Sequence, residues 1–231
     1  MKGHLLGNKR RKMQPTTQHP LNAHGVWCEI ATPTASGRPA LFLDRDGAVV
    51  EETEYLCRVE DIVMIQGAAA VITAANKRGV PVVVVTNQAG IGRGYYGWAE
   101  FAAVQNAIVA ALALEGARID AVYACPHHPQ GQGSFAHPDH PARKPNPGML
   151  LQAAADLALD LNKSWLVGDR AIDVEAAKRA GIAGAMQVAT GYGRAERQRA
   201  SGLASANFEV RLGRTIADAM TLPILLPQNV H

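Results

Sequence analysis

The chain has 231 residues, of which 48% are apolar and 19% charged, and its formal net charge is +3. This composition supports a buried core and excludes overall disorder, and so small a net charge gives no argument for nucleic acid as a main partner. No apolar run approaches the roughly 18 residues of a membrane-spanning helix. Three cysteines (Cys28, Cys57, Cys125) cannot form a disulfide framework and suit a reducing cytoplasm. The basic N-terminus lacks the apolar segment of a secretory signal.

Residues 1–38 are predicted to form a flexible extension, because they contain several prolines and threonines and have no regular apolar pattern. Lys9, Arg10, Arg11 and Lys12 form a basic run in this segment. Such a run either contacts phosphate or nucleic acid or is simply a solvated tail, and we favour the tail. A single α/β domain is predicted over residues 39–231, with a monomer as the default state.

Apolar runs and helical periodicity predict a regular alternation of strands and helices in that domain. In chain order these are a strand over 40–43, a helix over 68–78, a strand over 80–85, a helix over 98–114, a strand over 119–125, a helix over 147–159, a strand over 165–167, a helix over 173–180, a strand over 185–189 and a closing helix over 211–220. The alternation is typical of a parallel, Rossmann-like sheet with helices on both faces. Ligands of such sheets bind beyond the carboxyl ends of the strands.

Carboxylates follow two of the predicted strands. Asp44 and Asp46 come directly after the first strand, and Asp169 ends the fourth, with Asp173 one helical turn later. Side chains at i and i+2 point the same way when a strand continues, so Asp44 and Asp46 would share one site, where a cation would relieve their repulsion. Oxygen ligands suit Mg²⁺. Asp-x-Asp-Gly alone is also an ordinary turn, but Asp169 at a second strand end favours the metal site.

Other polar and flexible segments are candidates for binding an anionic substrate. Thr86 and Asn87 follow the valine-rich strand, where they could hold a phosphate oxygen or form a helix cap. The glycines at 90, 92 and 94 do not match a dinucleotide fingerprint and predict a flexible substrate loop. Arg143 and Lys144 stand between prolines, which favours an anionic substrate over two solvated surface charges. Together these groups predict phosphoryl transfer by a carboxylate nucleophile.

The order of these motifs resembles that of the haloacid dehalogenase-like (HAD) phosphohydrolases. The matching segments are Leu43-Asp44-Arg45-Asp46-Gly47, Val85-Thr86-Asn87-Gln88, Arg143-Lys144-Pro145 and Val167-Gly168-Asp169-Arg170-Ala171-Ile172-Asp173. Two further segments, Cys125-Pro126-His127-His128-Pro129 and the glycine loop after Gln88, are similar to a branch of heptose-bisphosphate and histidinol phosphatases. The resemblance covers about residues 39 to 220 and implies the HAD fold without a large cap domain, since residues 48–67 leave no room for one.

The resemblance also implies a role for each matching residue. Asp44 would be the nucleophile and form an aspartyl-phosphate, and Asp46 would be the general acid and then the general base. Mg²⁺ would bind Asp44, the carbonyl of Asp46 and Asp169, with Asp173 in support. Residues expected to bind phosphate or substrate are Thr86, Asn87, Gln88, Arg143, Lys144, Arg170, and Glu52 and Tyr55 of a short flap. The implied substrate is the 7-phosphate of a heptose 1,7-bisphosphate, with histidinol phosphate as the alternative.

Two positions depart from the pattern of that branch. Ala48 stands where a threonine is frequent, which we expect to tune the site without inactivating it. Relatives bind structural zinc through a Cys-x-His pair and a later Cys-x-Cys pair, whereas this chain has Cys125 and His127 followed by His140 and Ala142. Three ligands would remain, with His137, His128 or water as the fourth. Alternatively the loop binds no zinc and is held by its prolines.

Two other classes of function stay open from the sequence. The altered loop and the long extension would also fit an inactive phosphosugar-binding module, although every expected acidic residue is present. The basic run would fit a phosphatase that acts on nucleic-acid ends, whose binding should fall steeply with salt. We expect neither a membrane nor a nucleic-acid partner.

Overall fold

A mixed seven-stranded sheet forms the centre of the computed structural model, which describes residues 19–227. Its strands, in chain order, are β1 (Trp27–Ile30), β2 (Leu41–Leu43), β3 (Val82–Asn87), β4 (Ala121–Cys125), β5 (Trp165–Gly168), β6 (Gly184–Gln187) and β7 (Glu209–Leu212). Their order across the sheet is β1-β4-β3-β2-β5-β6-β7. β1 pairs antiparallel with β4, and the other neighbours are parallel.

Helices connect the strands and pack on both faces of the sheet. They are α1 (Ala68–Lys77), α2 (Ala89–Gly92), α3 (Trp98–Leu114), α4 (Gly148–Leu157), α5 (Ala171–Ala180) and α6 (Gly193–Ser201). Short 3-10 helices lie at Val59–Asp61, Gly133–Phe135, Leu161–Lys163, Ile216–Thr221 and Pro223–Leu225. None of the helices within residues 19–227 has the length and apolar character needed to cross a membrane.

Strand β2 lies in the middle of the sheet and is buried on both faces. Leu41 and Leu43 belong to the core cluster that includes α1 and α3, whereas Phe42 belongs to the cluster that includes α4 and α5. Each of these side chains is fully buried, and burying a large apolar side chain stabilises a fold by roughly 1.5–3 kcal/mol. Because β2 pairs in parallel with both β3 and β5, the carboxyl ends of these three strands lie side by side.

Most predicted elements are confirmed, including the helix over 98–114 with both of its ends. Besides β7, three elements were missed. One is α2, which forms part of the segment predicted as a flexible substrate loop and buries Gly90, Ile91 and Gly92. β1 lies within the predicted flexible extension, so the ordered sheet begins before residue 39, while residues 1–18 with the basic run lie outside the described part of the chain. Trp27 of β1 packs edge-on against Phe101, which links this strand to the core. α6 was also missed, since its sequence is almost entirely polar.

The predicted closing helix over 211–220 is wrong in its first half. Arg211 and Leu212 belong to strand β7, and a 3-10 helix begins only at Ile216. Thr215 explains the boundary, because its side-chain oxygen accepts a hydrogen bond from the backbone N–H of Ala217 and caps the new helix. Gly213 is buried against Met186 and Asp218, where a larger side chain would not fit without a shift of its neighbours.

Candidate active site

Three carboxylates meet at the carboxyl ends of β2 and β5. Asp44 follows β2, Asp169 follows β5, and Asp173 lies in the first turn of α5. All three residues are buried, and each offers an oxygen within 4.8 Å of the others. Asp173 also accepts a hydrogen bond of 3.0 Å from the backbone N–H of Arg170, which fixes the start of α5 against the cluster. The sheet therefore assembles the acidic site that the motif spacing predicts.

The Lys144 ammonium group lies inside this acidic cluster. Its Nζ is 2.9 Å from Asp44 Oδ1, 2.6 Å from Asp173 Oδ1 and 2.9 Å from the carbonyl oxygen of Val85. Burial alone would lower the pKa of Lys144, but the adjacent carboxylates of Asp173 and Asp44 outweigh it and raise that pKa. Lys144 is therefore a fixed cation beside the proposed nucleophile.

Two of these carboxyl groups, Asp44 and Asp169, take up protons more readily than free carboxyls do. Burial, and then the charge of Asp173, raise the pKa of Asp44 well above its ordinary value, although Lys144 opposes this effect. The same two causes raise the pKa of Asp169 to about 7, against a hydrogen bond from the backbone N–H of Tyr192. So many buried like charges are stable together only with a further cation or with protons.

The buried carboxylates fit a hard divalent cation. Within residues 19–227, Oδ1 of Asp169 is buried without a hydrogen-bond partner, although an unpaired buried carboxylate oxygen is costly. An all-oxygen donor set of this kind is what Mg²⁺ prefers. Asp44, Asp46, Thr86 and Lys144 also line one small pocket of about 50 Å³, so the structure brings the main predicted site residues together.

Two glycines allow the main chain to approach Asp169 closely. Gly47 has a φ of 82°, and a Cβ atom there would lie 2.5 Å from Asp169 Oδ2. A Cβ atom on Gly191 would lie 2.3 Å from the same oxygen. The Thr190 hydroxyl donates a hydrogen bond of 2.5 Å to the carbonyl of Gly47, which ties the two segments together. A side chain at either glycine would displace the carboxylate.

Asp46 lies beside the acidic cluster and is held by a separate set of donors. The buried side chains of Arg45 and Gln88 both donate hydrogen bonds to its carboxylate. Gln88 was predicted to bind substrate, but its amide is occupied by Asp46 and Thr86 in this structure. Asn87, also predicted at the substrate, exchanges two 3.0 Å hydrogen bonds with the main chain of Lys144. It therefore fixes the position of the lysine.

The remaining predicted substrate residues line a cavity of about 360 Å³ beside Asp46. Glu52, Tyr55, Arg143 and Arg170 all contribute to its wall. Burial, and then the charge of Asp46, raise the pKa of Glu52. Arg143 donates a 3.0 Å hydrogen bond to the carbonyl of His127, so it is anchored at the cavity edge. Roles in substrate binding stay predictions for these four residues.

The flap residue Tyr55 is fastened to the glycine loop. Its hydroxyl accepts a hydrogen bond of 2.7 Å from Arg93, whose guanidinium also lies 4.8 Å from the ring centre of Tyr95. Glu54 and Tyr55 both have positive φ values, of 47° and 68°, which non-glycine residues adopt only when their surroundings impose it. The predicted flap is therefore a tightly turned segment at the mouth of the cavity.

The Cys/His loop does not bring its three predicted zinc ligands to one point. The rings of His127 and His140 stack with centroids 3.6 Å apart, and Cys125 Sγ is 4.0 Å from His140 Nδ1. Nε2 of His127 lies 2.8 Å from the carbonyl of His24, and Nδ1 of His140 accepts from the N–H of Ala142. Burial raises the pKa of Cys125 to about 12 and lowers that of His140 to about 4.

Sequence reasoning missed several residues of the site, among them Arg45, Tyr96 and Tyr192. Arg45 separates the two aspartates and was assigned no role from the sequence, yet its side chain is 1% exposed. Tyr96 lies beyond the glycine loop, and its hydroxyl donates to Gln88 Oε1. Strand β2 ends at Leu43, just before Asp44. If the side chains of Asp44 and Asp46 point to one side, that of Arg45 points to the other, and this alternation was the one signal in the sequence that could have indicated its burial.

The sequence pattern of the HAD-hydrolase-like family matches residues 141–209. Over 173 residues the chain is 50% identical to a D-glycero-beta-D-manno-heptose-1,7-bisphosphate 7-phosphatase from Mesorhizobium japonicum, covering 72% of this chain and 78% of that protein. Over 144 residues it is 45% identical to the corresponding alpha-anomer phosphatase from Burkholderia mallei, covering 62% of this chain and 76% of that protein.

Two solved structures share the fold. A HAD-like phosphatase from Mesorhizobium loti is similar over 92% of this chain and all of its own, with a TM-score of 0.81 and 41% identity. A D,D-heptose 1,7-bisphosphate phosphatase from B. bronchiseptica, complexed with magnesium and phosphate, is similar over 78% of this chain and 94% of its own, with a TM-score of 0.68 and 29% identity.

Proposed function

The chain belongs to the HAD-like phosphatase family, and from this premise we propose that it removes the 7-phosphate from D-glycero-D-manno-heptose 1,7-bisphosphate. The single observation that supports this most strongly is the contact of the Lys144 ammonium group with both Asp44 and Asp173, beside Asp169. A carboxylate nucleophile, a fixed cation and an acidic metal site in one pocket are the parts that phosphoryl transfer to an aspartate requires. The enzyme is thus a phosphoric monoester hydrolase.

In the proposed reaction an oxygen of Asp44 attacks phosphorus, and the bond from phosphorus to the sugar oxygen breaks. Thr86 and Lys144 hold the phosphoryl oxygens, while Asp46 gives a proton to the leaving sugar oxygen. Water then attacks the aspartyl-phosphate, with Asp46 as the base, and inorganic phosphate leaves. Asp44, Asp169 and the main-chain carbonyl of Asp46 would hold Mg²⁺, which when bound neutralises charge on the phosphoryl oxygens.

The second phosphate of the substrate would lie in the cavity beside Asp46. Arg143 and Arg170 both line this cavity, and two guanidinium groups suit a phosphate that is bound but not hydrolysed. Arg170 lies 5.0 Å from the ring centre of Tyr192, which limits the directions in which it can point. The carboxylate of Glu52, which also lines the cavity, would accept a hydrogen bond from a sugar hydroxyl. The cavity is thus suited to a bisphosphorylated sugar.

A structural zinc in the Cys/His loop remains a separate proposal. The described arrangement does not fit it, since His127 and His140 face each other as stacked rings and His140 Nδ1 is already an acceptor. Zinc would require these rings to separate so that Cys125 and both histidines meet at the short metal–ligand distances of about 2.0–2.3 Å. Metal analysis of the purified protein tests it, and a content under about a tenth of an equivalent would end the idea.

The decisive experiment measures Mg²⁺-dependent phosphate release from both heptose bisphosphate anomers and from histidinol phosphate. We expect release from a heptose bisphosphate, and we expect Asp44→Asn to abolish it, because an amide is a far weaker nucleophile than a carboxylate. Leu151→Ala is a matched control, since this exposed helix residue lies outside the site. Release by Asp44→Asn at the wild-type rate would contradict the mechanism.

Histidinol phosphate is the second candidate, because the Cys125–Pro129 segment resembles that of both kinds of phosphatase. This substrate carries one phosphate and a positively charged amine, so the two arginines that line the cavity favour the bisphosphate. Preferred turnover of histidinol phosphate would reassign the substrate but not the chemistry. An inactive phosphosugar-binding module would release phosphate from none of the compounds.

A further inference from the structure

Arg45 forms a buried ion pair with Asp46, next to the acidic cluster. Its Nε lies 3.1 Å from Asp46 Oδ1 and 3.2 Å from Oδ2, and its Nη2 lies 3.1 Å from Oδ1. The guanidinium packs on the Phe101 ring, 5.2 Å from its centre. Arg45 is 1% exposed, whereas the Asp46 side chain is 17% exposed and borders the cavity. The arginine therefore holds the carboxylate from the protein side and leaves it open to the substrate.

Gln88 makes a second contact with the Asp46 carboxylate, and the neighbours of Gln88 fix the orientation of its side-chain amide. Its Oε1 accepts hydrogen bonds from Arg45 Nη2, at 3.2 Å, and from the Tyr96 hydroxyl. Since both partners of Oε1 are donors, the amide NH₂ must point the other way. There it donates to Asp46 Oδ2 at 2.9 Å and to the Thr86 hydroxyl at 2.8 Å. Burial raises the pKa of Tyr96 far above its ordinary value, so its hydroxyl remains a donor.

We propose that Arg45, Gln88 and Tyr96 are positioning residues that hold the Asp46 carboxyl group in line with the oxygen of the leaving group. This inference rests on the proposed function, because it concerns the group that transfers the proton in that reaction. A carboxyl group that could rotate freely would deliver a proton less efficiently, as proton transfer needs heavy atoms within about 2.6–3.2 Å. The Thr86 hydroxyl shares Gln88, so the same amide couples the acid to the phosphate-binding strand end.

The proposal makes a specific demand on the first chemical step. The bond between an Asp44 oxygen and phosphorus forms as the bond from phosphorus to the ester oxygen breaks, and that electron pair stays on the ester oxygen. A sugar alkoxide is a poor leaving group, so it must receive the Asp46 proton as it departs. A nitrophenolate departs as a stable anion without a proton. Loss of positioning should therefore harm hydrolysis of sugar phosphates much more than hydrolysis of nitrophenyl phosphate.

The test compares kcat/KM on heptose 1,7-bisphosphate and on p-nitrophenyl phosphate, both with Mg²⁺, for wild type and for Tyr96→Phe, Gln88→Leu and Arg45→Lys. We expect kcat/KM on the sugar phosphate to fall roughly tenfold to hundredfold more than on the aryl phosphate, a part of the 10²–10⁴-fold that general acid catalysis contributes. Tyr123→Phe is a matched control, because Tyr123 belongs to the core cluster on the other face of the sheet and its hydroxyl donates to Asp156. Its ratio between the two substrates should equal that of wild type.

Equal losses on both substrates, or no loss in any variant, would overturn the inference and leave a structural role. Arg45→Lys is the variant that risks misfolding, since the side chain is buried, so the thermal transition of each variant is measured first. Tyr96→Phe removes a single hydroxyl and decides the question if Arg45→Lys does not fold. A wild-type protein that hydrolyses neither substrate would instead refute the proposed function, and with it this inference.

Discussion

Replacing Lys144 with methionine removes a buried ammonium group while keeping a long apolar side chain in its place. Lys144 contacts two carboxylates and a carbonyl oxygen, each within 3 Å, and is 2% exposed. Removing one partner of a buried ion pair costs about 3–5 kcal/mol, because it leaves an uncompensated charge. We expect Lys144→Met to lower the free energy of unfolding of the metal-free protein by about that amount at about pH 8.

The loss should be smaller under mildly acidic conditions. The pKa of Asp44 is already raised by burial and Asp173 while Lys144 opposes the rise, so the variant raises it further. When the pKa of a carboxyl is higher in the folded than in the unfolded protein, the protonated carboxyl favours the folded state at low pH. This contribution to stability is complete below the unfolded-state pKa and is lost as pH rises through the folded-state pKa. Lys144 has a raised pKa, so in wild type its contribution is complete below its ordinary value of 10.5. The deficit of the variant therefore grows as pH rises through the raised pKa of Asp44, and it is compared at about pH 5.5 and about pH 8.

Urea denaturation followed by circular dichroism at both pH values measures this deficit. Lys163→Met is the matched control, because Lys163 is 74% exposed and pairs with Asp160 on the surface, where an ion pair contributes about 0–1 kcal/mol. Its effect should be small at both pH values. A Lys144→Met deficit that is equal at the two pH values, or no larger than that of the control, would refute the assignment of Lys144 to a charged buried cluster.

Three further predictions follow from the same geometry. Burial and Asp173 raise the pKa of Asp169 to about 7, so the metal-free protein should lose stability as pH rises through that value. Mg²⁺ should therefore raise the Tm more at about pH 8 than at about pH 5.5 in a fluorimetric melt. Equal Tm shifts at the two pH values would contradict this prediction. Gly47→Ala would place a Cβ 2.5 Å from Asp169 Oδ2, so titration should show weakened Mg²⁺ binding, and unchanged affinity would refute the close approach. The buried carboxylate of Asp120 accepts hydrogen bonds from the Val82 N–H and from Arg118, both at 2.8 Å. Asp120→Ala should therefore lower the free energy of unfolding by about 1–3 kcal/mol in urea denaturation, without changing KM. A stability within about 0.5 kcal/mol of wild type would argue against that bond.

The central strands and their polar ends could be predicted because each depends on local sequence. Leu41–Leu43 and the valines of β3 are apolar without interruption, as strands buried on both faces must be. Asp44 and Asp169 follow such strands directly, so the parallel topology alone brings them to one edge. Lys144 could be placed there only by its resemblance to a family motif, since a long loop carries it to the site.

The elements that were missed depend on contacts from distant parts of the chain. β1 is only partly buried and has no clean alternation, and its place is fixed by pairing with β4 and by Trp27 against Trp98 and Phe101. α6 buries only Gly193 and Ala200, so no apolar stripe marks it. Nothing in the local sequence marks Arg45 as buried, because its guanidinium packs on Phe101, 56 residues further along.

The antiparallel direction of β1 determines which end of the described chain lies near the catalytic edge, and therefore through which end the protein is best immobilised on a surface. Trp27, at its start, pairs with Ala124 near the carboxyl end of β4. The residues before Trp27 therefore lie near the catalytic edge, and residues 22–26 help to line a separate cavity that contains His127, His137 and His140. Leu226 and Pro227 lie instead next to Val80 and Trp165, where β3 and β5 begin. Tethering through the C-terminal side would leave the catalytic edge facing the liquid, whereas a bulky fusion partner at the other side would crowd it.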